Sequence, residues 1–236
     1  MVGGYRRLMV SAVLAMFVAF SVGACTSSQA PRQKPAQKSE AKKPVEQKAA
    51  VFPAAVPDMT RGKVVFERDC VSCHGSKGDG KGPSASGLKE PPANFTDKAF
   101  VRRHRPNQFF DVITDGEGPM PGFKSSLSEQ DRWNVLYYAR LFATSDEEIA
   151  QGKVIYEKNC ASCHGAAGKG DGAAGAKLTP KPANLTDQAF LARHSDNQFF
   201  EVVSEGEGPM PGFKATLSED ERRQVLAYER SFGYMK

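Results

Sequence analysis

The chain has 236 residues, 40% of them hydrophobic and 25% charged, a balance ordinary for a water-soluble protein. Its formal net charge of +5 is too small to point to nucleic acid. The charge is uneven: residues 60–145 carry thirteen basic and ten acidic side chains, residues 146–236 eleven and fourteen. Opposite signs fit two halves that dock different partners or each other, or two merely solvated surfaces.

The amino terminus reads as an export signal. Arg6 and Arg7 precede an apolar run from Leu8 to Val22, followed by the small residues Gly23 and Ala24 and then Cys25. The run falls short of the roughly 20 residues a membrane-spanning helix needs. Val22-Gly23-Ala24-Cys25 resembles a bacterial lipobox, although Val stands where Leu is usual. That resemblance implies cleavage after residue 24 and lipidation of Cys25; an ordinary cleavage nearby and an uncleaved anchor are the alternatives. Residues 25–57, rich in Ala, Pro, Lys and Gln, are expected to form a disordered tether. As a flexible coil it would span roughly 30 Å.

The rest of the chain is one unit written twice. Residues 61–142 laid on 151–232 without a gap are identical at more than half of the positions. Two copies are a tandem duplication, not a solenoid. The domain boundaries are set at 58–144 and 145–236. Each unit is expected to be all-α. A first helix runs from Thr60 to about Asp69, and its equivalent starts at the capping box Ser145-Asp146-Glu147-Glu148. Gly62 and Phe66, or Gly152 and Tyr156, share one helical face. A short helix follows Thr96-Asp97 or Thr186-Asp187, with Thr as the cap. Another runs from Asn107 to Asp115, or Asn197 to Glu205, and stops at a glycine. The last starts at Ser128 or Ser218 and carries apolar residues at helical spacing. No stretch alternates for long enough to predict a sheet.

The chemistry sits in two motifs. Cys70-Val71-Ser72-Cys73-His74 recurs as Cys160-Ala161-Ser162-Cys163-His164. Cys-x-x-Cys-His is the attachment signature of a covalent haem: two thiols bond the porphyrin and the adjacent His ligates the iron. A zinc site would need two more ligands per pair, and no further Cys lies in either copy. Met120 and Met210 each sit in Gly-Pro-Met-Pro-Gly-Phe, held stiff by flanking prolines. A gap-filling Met belongs on a helix or strand, so axial ligation is the better reading. His104 and His194 are alternative distal ligands, propionate partners with Arg103 and Arg193, or helix-end residues suited to the dipole. The glycines from Gly75 to Gly82 lack the strand and Gly-Lys-Ser/Thr of a phosphate loop and are read as a tight turn at the haem edge.

With these motifs in order, each unit resembles a small class I cytochrome c over residues 58–236. The resemblance implies two crossing terminal helices in each of two tandem haem domains. It implies two covalent haem c groups attached at Cys70, Cys73, Cys160 and Cys163. Their irons would be ligated by His74 with Met120 and by His164 with Met210. A carbonyl just after the glycine loop, assigned to Pro83 and Ala173, would accept the N–H of each ligating His, and Ala173 in place of Pro83 would make the two potentials differ. His/Met ligation raises the reduction potential. The expected role is electron transfer between redox protein partners, outside the cytoplasm in the periplasm or on the outer face of a bacterial membrane, through a lipid anchor and with no small-molecule substrate. The alternatives are a dihaem subunit of a larger oxidase or dehydrogenase complex, which usually has a true membrane span, and a dihaem peroxidase-type enzyme, which needs an open distal side.

Overall fold

The computed structural model describes residues 52–234. The export signal, Cys25 and the tether up to residue 51 lie outside the described residues.

Copy one opens with α1 (Met59–Asp69), capped by Asp58, whose carboxylate accepts from the Arg61 N–H at 3.0 Å. Helix α2 (Val71–His74) follows at once. Next come α3 (Lys98–Arg103) and α4 (Pro106–Asp115). The copy closes with α5 (Glu129–Leu141), where the Ser128 side chain accepts from the Asp131 N–H. Copy two repeats the order as α6 (Asp146–Asn159), α7 (Ala161–His164), α8 (Gln188–Arg193), α9 (Asp196–Glu205) and α10 (Glu219–Ser231). The capping box expected at Ser145 is formed, and the helix start expected at Ser218 carries one too.

Three local expectations need correction. The cap of α3 is Asp97, not Thr96: its carboxylate accepts from the Ala99 and Phe100 N–H groups at 2.9 and 3.1 Å. Thr96 is occupied one step back, where its N–H and hydroxyl both donate to Asn94 Oδ1. Asp187 and Thr186 divide the work in the same way. Short sheets do exist. Gly116–Glu117 (β1) pairs antiparallel with Met120–Pro121 (β2), and Gly206–Glu207 (β3) with Met210–Pro211 (β4). A two-residue ladder is too short to show alternation; it arises because Gly118 and Gly208 take positive φ at the turn. Finally, the end of the expected free tether is partly packed, although Ala54, Ala55 and Val56 are exposed. Pro53 and Pro57 are buried, and the Arg193 guanidinium lies 5.2 Å from the centroid of the Phe52 ring. Their apolar side chains have surface to cover, which the Lys- and Gln-rich stretch before them lacks.

In each copy the first and last helices cross, α1 on α5 and α6 on α10. A Cβ on Gly62 would collide with the Asn134 carbonyl, and one on Gly152 with the Gln224 carbonyl. Glycine at the crossing lets the backbones touch. Beside it, Phe66 packs on Tyr138 and Phe142 at centroid distances of 5.6 and 5.2 Å. Tyr156 meets Tyr228 and Phe232, both at 5.3 Å. Offset and edge-on aromatic pairs of this kind add to the burial of their large surfaces.

The copies dock through equivalent elements, α3 on α9 and α4 on α8. Such reciprocal pairing is the signature of an isologous interface, here between two halves of one chain. Three ion pairs cross it: Lys98–Glu148 at 2.7 Å, Arg102–Glu148 at 3.7 Å and Arg140–Asp196 at 2.9 Å. In all three the base comes from copy one and the acid from copy two. Of the readings open for the uneven charge, docking of the halves on each other is realised.

Candidate haem sites

Helix α2 is a single turn that begins where α1 ends. The Cys73 and His74 N–H groups donate to the Cys70 carbonyl at 3.2 and 2.9 Å, which winds both sulfurs and the imidazole onto one turn. Copy two repeats these bonds at 3.1 and 2.9 Å. The four cysteines of the two motifs are free thiols. Before any thioether forms, burial pushes the Cys70 and Cys160 thiols up to about 12. After the motif, Gly75, Gly78 and Gly80 take φ of 77°, 67° and 75°. The chain can then turn back so that the Gly80 N–H reaches the His74 carbonyl and the Gly82 N–H the Cys73 carbonyl.

The proximal carbonyl is not that of Pro83 or Ala173. His74 Nδ1 lies 3.1 Å from the Ala93 carbonyl, and His164 Nδ1 3.2 Å from that of Ala183. The glycine loop is taken up in bonding back onto the motif, and the chain next approaches the imidazole at Pro92-Ala93-Asn94. A potential difference argued from Pro83 against Ala173 therefore loses its basis. Repetition of Pro-Ala-Asn as Pro182-Ala183-Asn184 was the available signal. A carbonyl can only accept, so Nδ1 carries the proton and Nε2 keeps its lone pair. Burial lowers the pKa of both imidazoles, with partial opposition from that hydrogen bond. Each is therefore neutral, the form that binds metal. In copy one the Phe95 ring stacks on His74 at 4.8 Å; copy two has Leu185 there.

Met120 and Met210 sit half-buried on the second strand of each small hairpin. The loop is stitched to the end of the preceding helix: the Phe123 N–H donates to the Ile113 carbonyl at 2.8 Å and the Lys124 N–H to the Thr114 carbonyl at 3.2 Å. The Phe213 and Lys214 N–H groups do the same with Val203 and Ser204, at 2.9 and 3.1 Å. Phe123 packs on the cluster that holds Cys70, and Met210 on the one that holds Cys160. In copy two the hairpin thus lies with its own motif against one core; in copy one the residue that does so is Phe123, two positions beyond the hairpin. His104 and His194 are helix-end residues: each Nδ1 bonds back to a carbonyl of its own helix, Phe100 at 2.8 Å and Phe190 at 2.7 Å. Arg103 lies over the Phe100 ring and Arg193 over Phe52.

The donor set fits a covalent haem: two free thiols on one turn, a neutral imidazole with a free Nε2, and a thioether on a pinned loop. Among the described residues no group of three or more His, Cys, Asp or Glu side chains is placed to hold a metal ion, so the zinc reading lacks its remaining ligands.

Comparison with known proteins agrees. The family model for cytochrome c oxidase, cbb3-type, subunit III, matches twice, over residues 57–138 and 147–228. The chain belongs to this family. As a member of the cbb3 subunit III family it consists of two tandem cytochrome c domains, each with a covalent haem c. It is 31% identical over 186 residues to the cbb3-type cytochrome c oxidase subunit FixP of Azorhizobium caulinodans, covering 73% of this chain and 59% of that one. It is 28% identical over 188 residues to subunit CcoP of Cereibacter sphaeroides, covering 73% and 60%. A cytochrome bc1 complex cytochrome c subunit of Corynebacterium diphtheriae is 25% identical over 195 residues, covering 72% and 65%. The chain thus spans about three fifths of the length of the FixP and CcoP subunits. Among the described residues no helix is long and apolar enough to cross a membrane.

Proposed function

We propose that this family member is the dihaem electron-transfer subunit of a membrane-bound respiratory oxidase complex. The observation that carries the reading is the match of one oxidase-subunit family to both domains in tandem, together with the names of the FixP and CcoP relatives. Cys70 with Cys73, and Cys160 with Cys163, form the thioether bonds. His74 with Met120, and His164 with Met210, ligate the two irons. The haem iron supplies a one-electron couple. The chain does the rest: it bonds the porphyrin edge, fixes each imidazole through the Ala93 or Ala183 carbonyl, and pins the Met loop so that no coordination site is left for a substrate. The chain passes electrons and converts no substrate.

The leader favours a second reading. Val22-Gly23-Ala24-Cys25 and the Lys- and Gln-rich stretch after it would hold an exported, lipid-anchored carrier that swings between partners at the outer face of the membrane. Solubilising native membranes in mild detergent and isolating the chain by an affinity tag separates the two. Co-purification with terminal oxidase activity in fixed ratio is the expected result. Recovery of a lipidated chain without oxidase supports the swinging carrier instead.

A further inference from the structure

Asp196 is one of the positions at which the duplication stops being symmetrical. Its equivalent in copy one is Pro106, whereas the arginines that meet it, Arg140 and Arg230, are equivalents of each other. Arg140 of copy one donates to Asp196 Oδ1 at 2.9 Å, and Arg230 of copy two donates to the same oxygen at 2.7 Å. The Arg140, Asp196 and Arg230 side chains are only 11%, 18% and 13% exposed. Arg230 also holds the Leu191 and His194 carbonyls, so it belongs to the frame of its own domain.

Contacts run outward from this carboxylate to both haem motifs. On one side the Arg140 guanidinium lies 5.8 Å from the Phe109 centroid, Phe109 meets Phe95 edge-on at 6.5 Å, and Phe95 stacks on His74. On the other, Arg230 lies 4.3 Å over Phe199, which packs in the cluster that holds Ala183, the residue whose carbonyl accepts from His164. One carboxylate thus ties together the elements that back the two ligating histidines. Apolar packing crosses the interface as well: Ala192 and Tyr234 of copy two join a cluster of Phe110, Trp133, Leu136 and Tyr137 from copy one, and the Tyr137 and Tyr234 rings lie 6.3 Å apart.

We propose that Asp196 is a positioning residue: it latches the two haem domains into one unit and sets the relation between their haems. The inference deepens the electron-transfer reading and rests on it for its kinetic part. The step it governs is balanced in itself: one electron leaves a ferrous haem, which becomes ferric, and the other haem is reduced by the same electron.

The test uses the intact dihaem protein with Asp196→Asn, and Arg140→Gln as a second variant that breaks the bridge from the other domain. Two quantities are read: the rate of proteolytic cleavage in the connection at residues 143–145, and the concentration-independent exchange broadening of haem methyl resonances in half-reduced protein. Removing one member of a buried ionic network leaves another charge unpaired, so both variants should cleave roughly tenfold faster or more, and exchange should slow by a similar factor. The absorption spectrum and midpoint potential of each haem should not move. Wild-type rates of cleavage and exchange in both variants would overturn the latch. So would a lost haem or altered ligation, because Asp196 would then serve one domain's own fold. If cleavage responds but the wild-type protein shows no intramolecular exchange, the latch stands and the reading of electron transfer between the two haems falls.

Discussion

At the scale of single residues the two copies divide into what they share and what they do not. They share the proposed ligand set, a His and a Met in each copy. Replacing Met120 or Met210 by Ala should leave one haem open, so that the reduced protein binds carbon monoxide and one potential falls. Potentiometry with carbon monoxide difference spectra checks this, and an unchanged pair of potentials would remove Met from the ligand set. They do not share Glu229, which replaces Ala139. Its carboxyl is 7% exposed against the cluster of Tyr156 and Cys160, and desolvation raises its pKa to about 8, opposed in part by Arg230. The sign follows from a folded pKa above the unfolded one: the folded state binds more protons, so stability is highest below the unfolded value and is lost as pH rises toward 8. Each pH unit between the unfolded and folded pKa values is worth roughly 1.4 kcal/mol. Between pH 5 and pH 9 the wild-type protein should therefore lose more stability than Glu229→Gln, by about 4 kcal/mol at this order of magnitude. Denaturant titrations at the two pH values decide it; parallel curves for the two proteins would contradict it. Tyr156 replaces Phe66 and adds a buried hydrogen bond from its hydroxyl to the Gly165 carbonyl at 2.8 Å. Tyr156→Phe should cost about 1 kcal/mol by the same titration, since the acceptor is left without its donor.

Secondary-structure elements were legible where side chains announce them. Ser128, Ser145 and Ser218 with their acidic third residues placed three helix starts, and Gly62 with Phe66 placed the crossing face. Elements whose reason lies in the path of the backbone were not. The acceptor for His74 is a carbonyl, which every residue has, and only the route of the chain selects Ala93. The hairpin of Met120 is formed by a glycine turn, too short for any pattern. The crossing itself is the most sensitive element. Gly152→Ala would drive a methyl group into the Gln224 carbonyl. Because that obstacle is backbone, the helices must part, at a cost of about 1–3 kcal/mol as for other overpacked cores. Thermal unfolding of the haem-loaded variant measures this, and a wild-type midpoint would show that α6 and α10 do not cross so closely.

Over the whole molecule, duplication made the domains visible, while their docking came from positions that break it. Asp196 against Pro106 and Trp133 against Arg223 stand out as mismatches when the copies are aligned, but the mismatch does not say what either residue touches. Trp133 is fully buried and stacks on Phe110 at 4.2 Å; Arg223 takes its place over Phe200, with its guanidinium 3.6 Å from that ring centroid. A position that packs an indole in one copy and a charged plane in the other is placed differently relative to the interface, which a single repeat cannot record. Two closed His/Met haems in one chain should show most plainly in the far-red charge-transfer absorption of the ferric protein, scaled to haem content per chain. The expected result is two haems, full intensity of the Met–iron band for both, and no carbon monoxide binding by the reduced protein at neutral pH. One haem per chain, half the band, or a high-spin fraction that binds carbon monoxide would contradict it.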